Sequence, residues 1–595
     1  METDRLVSEF ESKKLEAKAY AEEIDKPELR VGFARSFCGI TLDAFWSETC
    51  KINKCSWKIT DPFLKFDPLE PDLNSDASIL GSILSKLPFP ESSYLIGTIY
   101  TALLPHDTRS DFGAYYTPPA LVDRLIEMVT DEGFDWRNSN VMDLSCGGGA
   151  FLSPVAIRMA DSVPKKDVKN PKKTIERISR RLKGFEIDPF AAWMSQVLVE
   201  IALIETCIDA KTRLPTIVKI CDTLDTLPDK GEEVDLVIGN PPYRKITLPE
   251  HQRALYSRSL FGHANLYGIF TDIGIRWTKP EGYIAYVTPT SFLGGQYFKS
   301  LRSMLSQHAP PVTMDFISER KGVFEEVLQE TMLVVYKRSG SERAEADDPR
   351  VKVHCLKSNG PEKPVVSESI GSFLLPEGAE DPWFIPKEPE QVKLIENLLK
   401  MRNRISHLGY EVNTGQLVWN RHKKQLINEN KTGSYPLIWA ESILNDGQFQ
   451  FNSKRANHSP FFLLGKKQDF LITKKPCILV QRTTAKEQKK RIFSAVLPKE
   501  FISEHGGVVI ENHVNIIRKT NTSPLISLEA LTVLLNSNMI DKIFRLISGS
   551  VAVSAYELNA LPLPKVNDVK ILEKLISNKA SRDEIERSIK KMYER

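Results

Sequence analysis

The chain has 595 residues, of which 41% are hydrophobic and 26% are charged, with a formal net charge of +3. This length exceeds what one hydrophobic core supports, so we expect two or three domains of an ordinary globular protein. No apolar run reaches the ~20 residues of a membrane span and the first residues carry no signal-peptide pattern, so we expect a cytoplasmic protein. The eight scattered cysteines lack metal-ligand spacing, so we expect reduced thiols and no metal site.

The charge is unevenly distributed along the chain. Residues 1–400 are net acidic, residues 401–595 are net basic, and most of the basic excess lies between 401 and 500. A basic segment behind an acidic one predicts that the C-terminal part contacts a polyanion.

Residues 1–110 predict a helical extension of unknown purpose. Charged, heptad-like stretches such as Glu9 to Lys26 favour helices, and proline-rich segments at 61–71 and 87–90 interrupt them. We find there no strand with an acidic residue and a following Glu-x-Lys, and therefore expect no fused nuclease.

The sequence Tyr116-Thr117-Pro118 opens the next segment. Thr117 is placed to cap a helix whose first residue is Pro118, and an amphipathic pattern follows. The N–H groups at such a helix start also suit a ligand carboxylate, so both a plain capped helix and a binding site are open.

A short predicted strand ends in Asp143 and leads through Cys146 into three consecutive glycines, Gly147 to Gly149, before a helix. In nucleotide-binding α/β sheets such a turn lets a ligand approach the backbone. The pattern is not G-x-G-x-x-G, and no Walker lysine with Ser or Thr follows, which disfavours dinucleotide and P-loop sites.

Two further predicted strands also end in acidic residues. One ends at Glu186, which suits a bidentate grip on two ribose hydroxyls, and the next ends at Asp222, which could accept from an adenine amino group. Strands alternating with helices, each with a polar end, predict a doubly wound parallel sheet with its site at the carboxyl edge.

A fourth predicted strand runs directly into Asn240-Pro241-Pro242-Tyr243. Two prolines remove two backbone donors, so this turn offers acceptors, the Asn240 side-chain oxygen and the Pro241 carbonyl, beside the ring of Tyr243. That combination suits a planar amino group on an aromatic ring. Phe324 lies in a later loop, where it is a core residue by default but could close a base sandwich opposite Tyr243.

Residues 341–385 are rich in Ser, Glu, Asp and Pro and predict a linker or irregular crossover. Beyond them, strands alternate with basic loops that contain Arg421, Lys423, Arg482 and Lys486. Such side chains contact phosphates and base edges, so this part predicts a nucleic-acid recognition domain.

In their order along the chain, these motifs resemble the gamma-class N6-adenine DNA methyltransferases of restriction–modification systems, especially the PstI/BsuBI-like group with its TaqI-type domain order. The resemblance covers roughly residues 110–565. Residues 413–421 and 481–484 also look like that group's recognition domain. Leu144 stands where proline is commoner in the family.

The resemblance implies a Rossmann-like class I methyltransferase sheet over residues 111–340 that binds S-adenosylmethionine. The helical extension 1–110 precedes it, and the linker 341–385 leads to a mixed α/β target-recognition domain, 386–595, that binds double-stranded DNA. The implied cofactor-binding residues are Tyr116, Thr117, Pro118, Asp143, Cys146, Gly147, Glu186, Ile187 and Asp222. The implied catalytic residues are Asn240, Pro241, Pro242, Tyr243 and Phe324, and the implied DNA contacts are Arg421, Lys423, Arg482 and Lys486.

Three alternatives share part of this pattern. N4-cytosine methyltransferases use the same chemistry, but their motif usually begins with serine. Enzymes that methylate a glutamine amide of release factors carry Asn-Pro-Pro-Tyr but are shorter and lack a basic C-terminal domain. A non-enzymatic DNA-binding subunit would need a damaged cofactor site, and each cofactor motif is intact. The recognition sequence, the oligomeric state and the existence of a separately encoded cognate restriction endonuclease stay open.

Overall fold

The computed structural model describes residues 2–112, 116–162, 170–317, 330–340, 350–357, 365–376, 381–452, 458–483, 490–520, 523–547 and 552–594. The chain divides into two compact units. The first unit comprises Met1–Pro289 and Ser303–Leu374, and the second unit comprises Thr290–Arg302 and Leu375–Arg595.

The helices of the described residues begin with five that cover the predicted helical extension. In chain order they are α1 (Glu2–Glu22), α2 (Pro27–Ile52), α3 (Pro71–Leu84), α4 (Phe89–Leu103), α5 (His106–Phe112), α6 (Pro119–Asp131), α7 (Leu152–Asp161), α8 (Pro171–Arg181), α9 (Pro189–Ala202), α10 (Ile204–Ala210), α11 (Glu250–Leu255), α12 (Leu266–Trp277), α13 (Lys299–His308), α14 (Val392–Lys400), α15 (Lys499–His505), α16 (Leu528–Leu535), α17 (Asn538–Ile547), α18 (Ala555–Ala560), α19 (Val566–Ser577) and α20 (Arg582–Tyr593). Among the described residues, no single helix has the length and apolar character to cross a membrane, although the bent pair α9 and α10 meets both criteria jointly.

The strands of the first unit are β1 (Val141–Asp143), β2 (Leu182–Glu186), β3 (Val218–Ile220), β4 (Val234–Gly239), β5 (Lys245–Ile246), β6 (Ala264–Asn265), β7 (Thr278–Pro289), β8 (Pro311–Ile317), β9 (Thr331–Lys337), β10 (Arg350–Lys357) and β11 (Val366–Leu374). Those of the second unit are β12 (Tyr410–Thr414), β13 (Leu426–Ile427), β14 (Ser434–Ile438), β15 (Phe461–Leu463), β16 (Ile472–Thr473), β17 (Cys477–Gln481), β18 (Ser494–Leu497), β19 (Val508–Ile510) and β20 (Val514–Lys519).

One large sheet organises the first unit. Within the described residues it has nine strands in the order β11-β10-β8-β9-β7-β4-β1-β2-β3. Strands β3, β2, β1, β4 and β7 are parallel, and the strand order reverses between β1 and β4. The predicted doubly wound α/β sheet is confirmed, and its carboxyl edge beside β1 and β4 is where such sheets bind ligands.

Two features of this sheet differ from the sequence predictions. Strand β9 runs antiparallel to both of its neighbours, and β11 runs antiparallel to β10, so the sheet is mixed rather than parallel. Strands β10 and β11 also lie inside the stretch predicted as a linker or irregular crossover. The polar composition of that stretch obscured the alternation of β10, where Val351, Val353 and Cys355 are buried.

Helix α9 separates two hydrophobic cores of the first unit. Ala192 and Val199 belong to the core of the sheet, whereas Phe190, Trp193 and Leu198 belong to a core formed with α1 to α4. The N-terminal helices therefore cover one side of a helix that directly follows β2.

The second unit is a mixed α/β domain, as predicted. It contains a four-stranded sheet, β12-β20-β17-β18, and a five-stranded sheet, β13-β15-β14-β19-β16. Residues of α14, α16, α17, α19 and α20 pack on the first of these sheets around one hydrophobic core.

Candidate active site

A cavity lies at the carboxyl ends of β1, β2, β3 and β4 in the first unit. Residues at the end of each strand or shortly after it line the cavity, including Cys146, Glu186, Asp222 and Asn240. Because carboxyl ends of parallel strands meet at one edge, four motifs that are far apart in sequence converge here.

The glycine turn gives the cavity a backbone wall. Gly147 has a φ of +51° and lines the cavity, and a Cβ atom on it would meet no atom within 4 Å. At Gly148, by contrast, a Cβ would lie 2.5 Å from the Tyr116 ring, and at Gly149 it would lie 2.8 Å from Ser195 Oγ. Gly147 therefore leaves space for a ligand, whereas Gly148 and Gly149 allow close packing.

Glu186 ends β2 and is held by backbone donors. Its Oε1 accepts from the N–H groups of Ile187 and Asp188, each at 2.9 Å, and its Oε2 accepts from Gly147 N–H at 2.8 Å. A carboxylate has about four acceptor positions, which leaves one on Oε2 for a ligand hydroxyl. Burial raises the pKa of Glu186 to about 7, against the opposing effect of these hydrogen bonds.

Asp143 lies at the end of β1 and is 1% exposed. Its Oδ1 accepts from Ser145 N–H at 3.0 Å, and burial raises the pKa of its carboxyl to about 8. Gly239 of β4 packs so closely that a Cβ there would lie 2.6 Å from Asp143 Oδ1. A buried acid of this kind favours a ligand that carries positive charge or donates a hydrogen bond.

The Asn240 side chain is held at both ends of its amide. Its Nδ2 donates to Thr117 Oγ1 at 3.0 Å, and its Oδ1 accepts from the Tyr243 hydroxyl at 2.5 Å. The Tyr243 ring also meets Tyr267 edge to face, with centroids 6.1 Å apart. The amide is thus fixed in one orientation at the cavity, with one lone pair of Oδ1 available to another donor.

Thr117 does not cap a helix, which corrects the sequence prediction. Helix α6 begins at Pro119, and Pro118 occupies the cap position with extended backbone. A residue that precedes proline is disfavoured in the α region, so the helix starts one residue later than predicted. The Thr117 hydroxyl is therefore used by Asn240 instead of by the helix.

Most of the predicted site residues of the first unit come together. The cavity is lined by Tyr116, Thr117, Asp143, Cys146, Gly147, Glu186, Ile187, Asp222, Asn240 and Pro242. Pro118, Pro241 and Tyr243 are adjacent in sequence to lining residues but are not among them. Phe324 and Lys486 lie outside the described residues.

The side chains around the cavity differ in character. Ile187 is 52% exposed although it is a large apolar residue, which suits contact with a flat ring. Asp222 is exposed at its end of the cavity and its Oδ1 accepts from Leu224 N–H at 2.9 Å. Cys146 is buried and lines the cavity, and burial raises the pKa of its thiol well above the usual value, which disfavours the thiolate form that a nucleophile requires.

Sequence reasoning missed several lining residues, notably Tyr100, Asp188 and Phe270. Tyr100 lies in α4, in a segment without any recognisable motif. Asp188 comes two residues after Glu186 and directly before Pro189. An aspartate followed by proline is typical of a helix N-terminus, so this pair indicated a helix cap and not a binding residue. Only the tertiary contacts bring these residues to the cavity.

The predicted DNA contacts that the structure describes lie in the second unit. Arg421 and Lys423 are exposed on short helical turns, and Lys423 Nζ lies 5.9 Å from the centre of the Trp419 ring. Arg482 is half-buried, and its Nη1 donates to the Asn512 carbonyl at 3.0 Å. The Nη1 group of Arg482 therefore already makes a hydrogen bond within the protein.

Comparisons with known proteins agree with the predicted resemblance. Residues 163–324 match the family model of the Eco57I restriction-modification methylases. The chain is 28% identical over 330 residues to the type II methyltransferase M.PstI of Providencia stuartii, a match that covers 55% of this chain and 64% of M.PstI. It is 23% identical over 470 residues to the type II methyltransferase M.BsuBI of Bacillus subtilis, which covers 77% of this chain and 88% of M.BsuBI.

The fold is similar to that of a solved protein, the Type IIL restriction-modification enzyme MmeI, determined in complex with DNA. The TM-score is 0.53 at 12% sequence identity, and the match covers 99% of this chain and 96% of MmeI. The sequence matches, and not this similarity of fold, confirm the predicted resemblance to restriction–modification methyltransferases. The match to M.PstI spans just under two thirds of that relative's length.

Proposed function

We propose that this chain is an S-adenosylmethionine-dependent DNA methyltransferase that modifies the N6 amino group of adenine in duplex DNA within a restriction–modification system. The observation that carries this proposal is the doubly held Asn240 amide at the edge of an acidic, ring-accommodating cavity. The type II methyltransferases M.PstI and M.BsuBI, to which the chain is related, support the same reaction class.

The residues of the cavity fit S-adenosylmethionine. Gly147 leaves open space beside its backbone, Glu186 has an acceptor position for a ribose hydroxyl, and Ile187 exposes an apolar surface for a ring. The carboxyl of Asp143 is buried without a cationic partner among its described contacts, and a cationic ligand would compensate it. When bound, this cofactor supplies an electrophilic methyl group on a positively charged sulfur.

The role of Asn240 follows from its geometry. The amino nitrogen of adenine is a poor nucleophile because its lone pair is conjugated with the ring. Asn240 Oδ1 and the Pro241 carbonyl would accept its two N–H groups and favour a nitrogen with an available lone pair. Since Thr117 and Tyr243 already fix the amide, this acceptor needs no reorganisation during the reaction, which is the condition for electrostatic catalysis.

The target base has to leave the double helix to reach Asn240. Extrusion costs a few kcal/mol, and stacking on Tyr243 and Phe324, at ~1–3 kcal/mol per aromatic contact, would offset much of this cost. The second unit, with its basic loops at Arg421 and Lys423, is the part that we assign to duplex recognition.

The test is transfer of a tritiated methyl group to duplex DNA, followed by digestion to nucleosides. We expect N6-methyladenine from the wild type and a loss of about 10²–10³ in rate for Asn240→Ala, with cofactor binding retained. The product N4-methylcytosine would reassign the target base. Label on protein instead of DNA would replace this proposal with methylation of a glutamine amide.

A further inference from the structure

The turn that follows β2 is tied to two N-terminal helices. Asp188 is 1% exposed and caps α9, with its Oδ1 accepting from Phe190 N–H at 3.2 Å. Arg35 of α2 donates from Nη2 to the same oxygen at 2.8 Å, and the Tyr100 hydroxyl of α4 donates to Oδ2 at 2.6 Å. A buried carboxylate held by a guanidinium, a phenol and a backbone N–H has a fixed position.

This position is transmitted directly to the cofactor-binding carboxylate. The backbone N–H of Asp188 donates to Glu186 Oε1, and Glu186 Oε2 accepts from Gly147 of the glycine turn. A continuous chain of hydrogen bonds thus runs from Arg35 and Tyr100 through Asp188 to Glu186. Tyr100 itself lines the cavity, and its ring packs on Phe190 with centroids 4.6 Å apart.

Helix α4 also sets the position of Tyr116. A Cβ on Gly97 of α4 would lie 2.2 Å from the Tyr116 ring, and a Cβ on Gly148 of the glycine turn would lie 2.5 Å from it. The Tyr116 ring is therefore held between two glycines, Gly97 of the N-terminal helices and Gly148 of the glycine turn. Gly97 has an ordinary helical φ, so close approach, and not backbone conformation, is what requires glycine there.

A second set of contacts fixes α9 along its length. Glu200 of α9 is 3% exposed, accepts from the Thr60 hydroxyl at 2.6 Å, and pairs with Arg213. The Trp193 indole N–H donates to the Thr60 carbonyl at 2.8 Å. The N-terminal segment consequently holds both the start and the end of the helix that follows the Glu186 turn.

We propose that the N-terminal helices are part of the cofactor site, with Arg35 and Tyr100 as positioning residues for Glu186 and Gly97 as the residue that places Tyr116. This inference rests on the proposed binding of S-adenosylmethionine. It assigns a purpose to residues 1–110, which carry no motif: they hold the ribose-binding carboxylate and close one side of the pocket.

The first experiment compares two glycine-to-alanine variants by calorimetric titration with S-adenosylmethionine. Gly97→Ala forces Tyr116 to move, and we expect about ten-fold weaker binding. Gly32→Ala in α2 is the matched control, because a Cβ there meets Asp67 Oδ2 at an ordinary 3.6 Å, and its affinity should equal that of the wild type. Equal affinity of Gly97→Ala and Gly32→Ala would overturn the placement of Tyr116 by α4.

The second experiment uses the full-length chain and steady-state kinetics. Tyr100→Phe removes one hydroxyl, and Arg35→Ala removes the guanidinium. We expect the KM for S-adenosylmethionine to rise about five-fold in each, with kcat at saturating cofactor within about two-fold of the wild type. Arg35→Lys should recover part of the loss. A purely structural role would instead lower the active fraction, so kcat would fall with KM unchanged, and that result would overturn the inference.

The two hypotheses fail in different ways. If the wild type shows no calorimetric binding of S-adenosylmethionine, the proposed function fails. If the wild type binds and Gly97→Ala, Tyr100→Phe and Arg35→Ala all bind equally well, the proposed function stands and the role of the N-terminal helices is refuted. If Gly97→Ala lowers the yield of folded protein, Tyr100→Phe still decides the question, because it removes a single hydroxyl and leaves the ring in place.

Discussion

The two hydrogen bonds that hold the Asn240 amide can be removed one at a time by nearly isosteric changes. Thr117→Val deletes the acceptor for Asn240 Nδ2, and Tyr243→Phe deletes the donor to Oδ1. A hydrogen bond of this kind contributes about 0.5–1.5 kcal/mol net, so each change should lower kcat about 2–13-fold. Neither change removes the Asn240 oxygen, so both should be far milder than Asn240→Ala.

The double variant should lose more than the product of the two single losses. With one bond left, the amide still favours its orientation but holds it less firmly, whereas without both it can turn its nitrogen toward the target amino group. A coupling of about 0.5 kcal/mol or more is typical of residues that share one partner. Single-turnover methyl transfer to duplex DNA measures all three rates, and the unfolding midpoint in urea checks that folding is intact.

Thr532→Val is a suitable control, because its hydroxyl is buried and donates at 2.8 Å to the Leu528 carbonyl of its own helix in the second unit. It should leave methyl transfer unchanged. Wild-type rates for both Thr117→Val and Tyr243→Phe would refute the argument that amide orientation matters. A raised KM for the cofactor with unchanged kcat in Thr117→Val would assign that hydroxyl to cofactor binding instead.

Three further outcomes are expected. Glu186→Gln should weaken calorimetric binding of S-adenosylmethionine about ten-fold or more, since a charge-assisted hydrogen bond contributes ~1.5–3 kcal/mol, and unchanged affinity would remove Glu186 from the site. Burial raises the folded-state pKa of Glu186 to about 7 and that of Asp143 to about 8, above their unfolded values of 4.5 and 3.8. The folded protein therefore binds more protons than the unfolded chain in this range, so the free energy of unfolding of the ligand-free protein should fall as pH rises from about 5 to 8. Urea unfolding should show this slope, less steeply in Glu186→Gln, and a rising stability would contradict the assigned pKa shifts. The double variant Arg421→Ala/Lys423→Ala should weaken duplex binding and reduce the slope of log affinity against log salt by about 0.9 per lost phosphate contact. Lys590→Ala, the control, should change neither the affinity nor this slope. An unchanged slope in the double variant would show that this loop does not contact the duplex.

The elements closest to the chemistry could be predicted because their signals are local. The strand ends at Asp143, Glu186 and Asn240 are encoded by a buried apolar run followed at once by a polar or glycine residue. In a doubly wound sheet, that pattern alone places such residues at one edge. The convergence of these residues on one cavity therefore followed from strand order, without knowledge of any side-chain contact.

Strand direction and helix start were predicted less well. A buried strand such as β9 has the same apolar pattern whether it runs parallel or antiparallel, so its direction is decided by its neighbours. The start of α6 shifted by one residue because two prolines follow Thr117, and each restricts the residue before it. As a result, the Thr117 hydroxyl is a hydrogen-bond partner of Asn240 and not of the helix.

The role of the N-terminal helices could not be read from the sequence, since it depends on contacts between distant residues. Arg35 and Tyr100 reach Asp188 across 153 and 88 positions of the chain, respectively. Nothing in the local pattern of α2 or α4 distinguishes these side chains from ordinary helix residues. The assignments of Phe324 and Lys486 stay predictions, because both residues lie outside the described part of the chain.

The shared core of the N-terminal helices and α9 also has a consequence for synthesis on the ribosome. Phe37, Leu80 and Ile96 emerge early, but their partners Phe190, Trp193 and Leu198 belong to a helix that begins 86 residues after α4 ends. At a synthesis rate of ~5–20 residues per second, the apolar face of the nascent helices stays exposed for roughly 4–17 s before the ribosome begins to make α9, which covers it. During that interval the growing chain presents a surface of the kind that chaperones bind, and translation pauses before α9 would prolong the exposure.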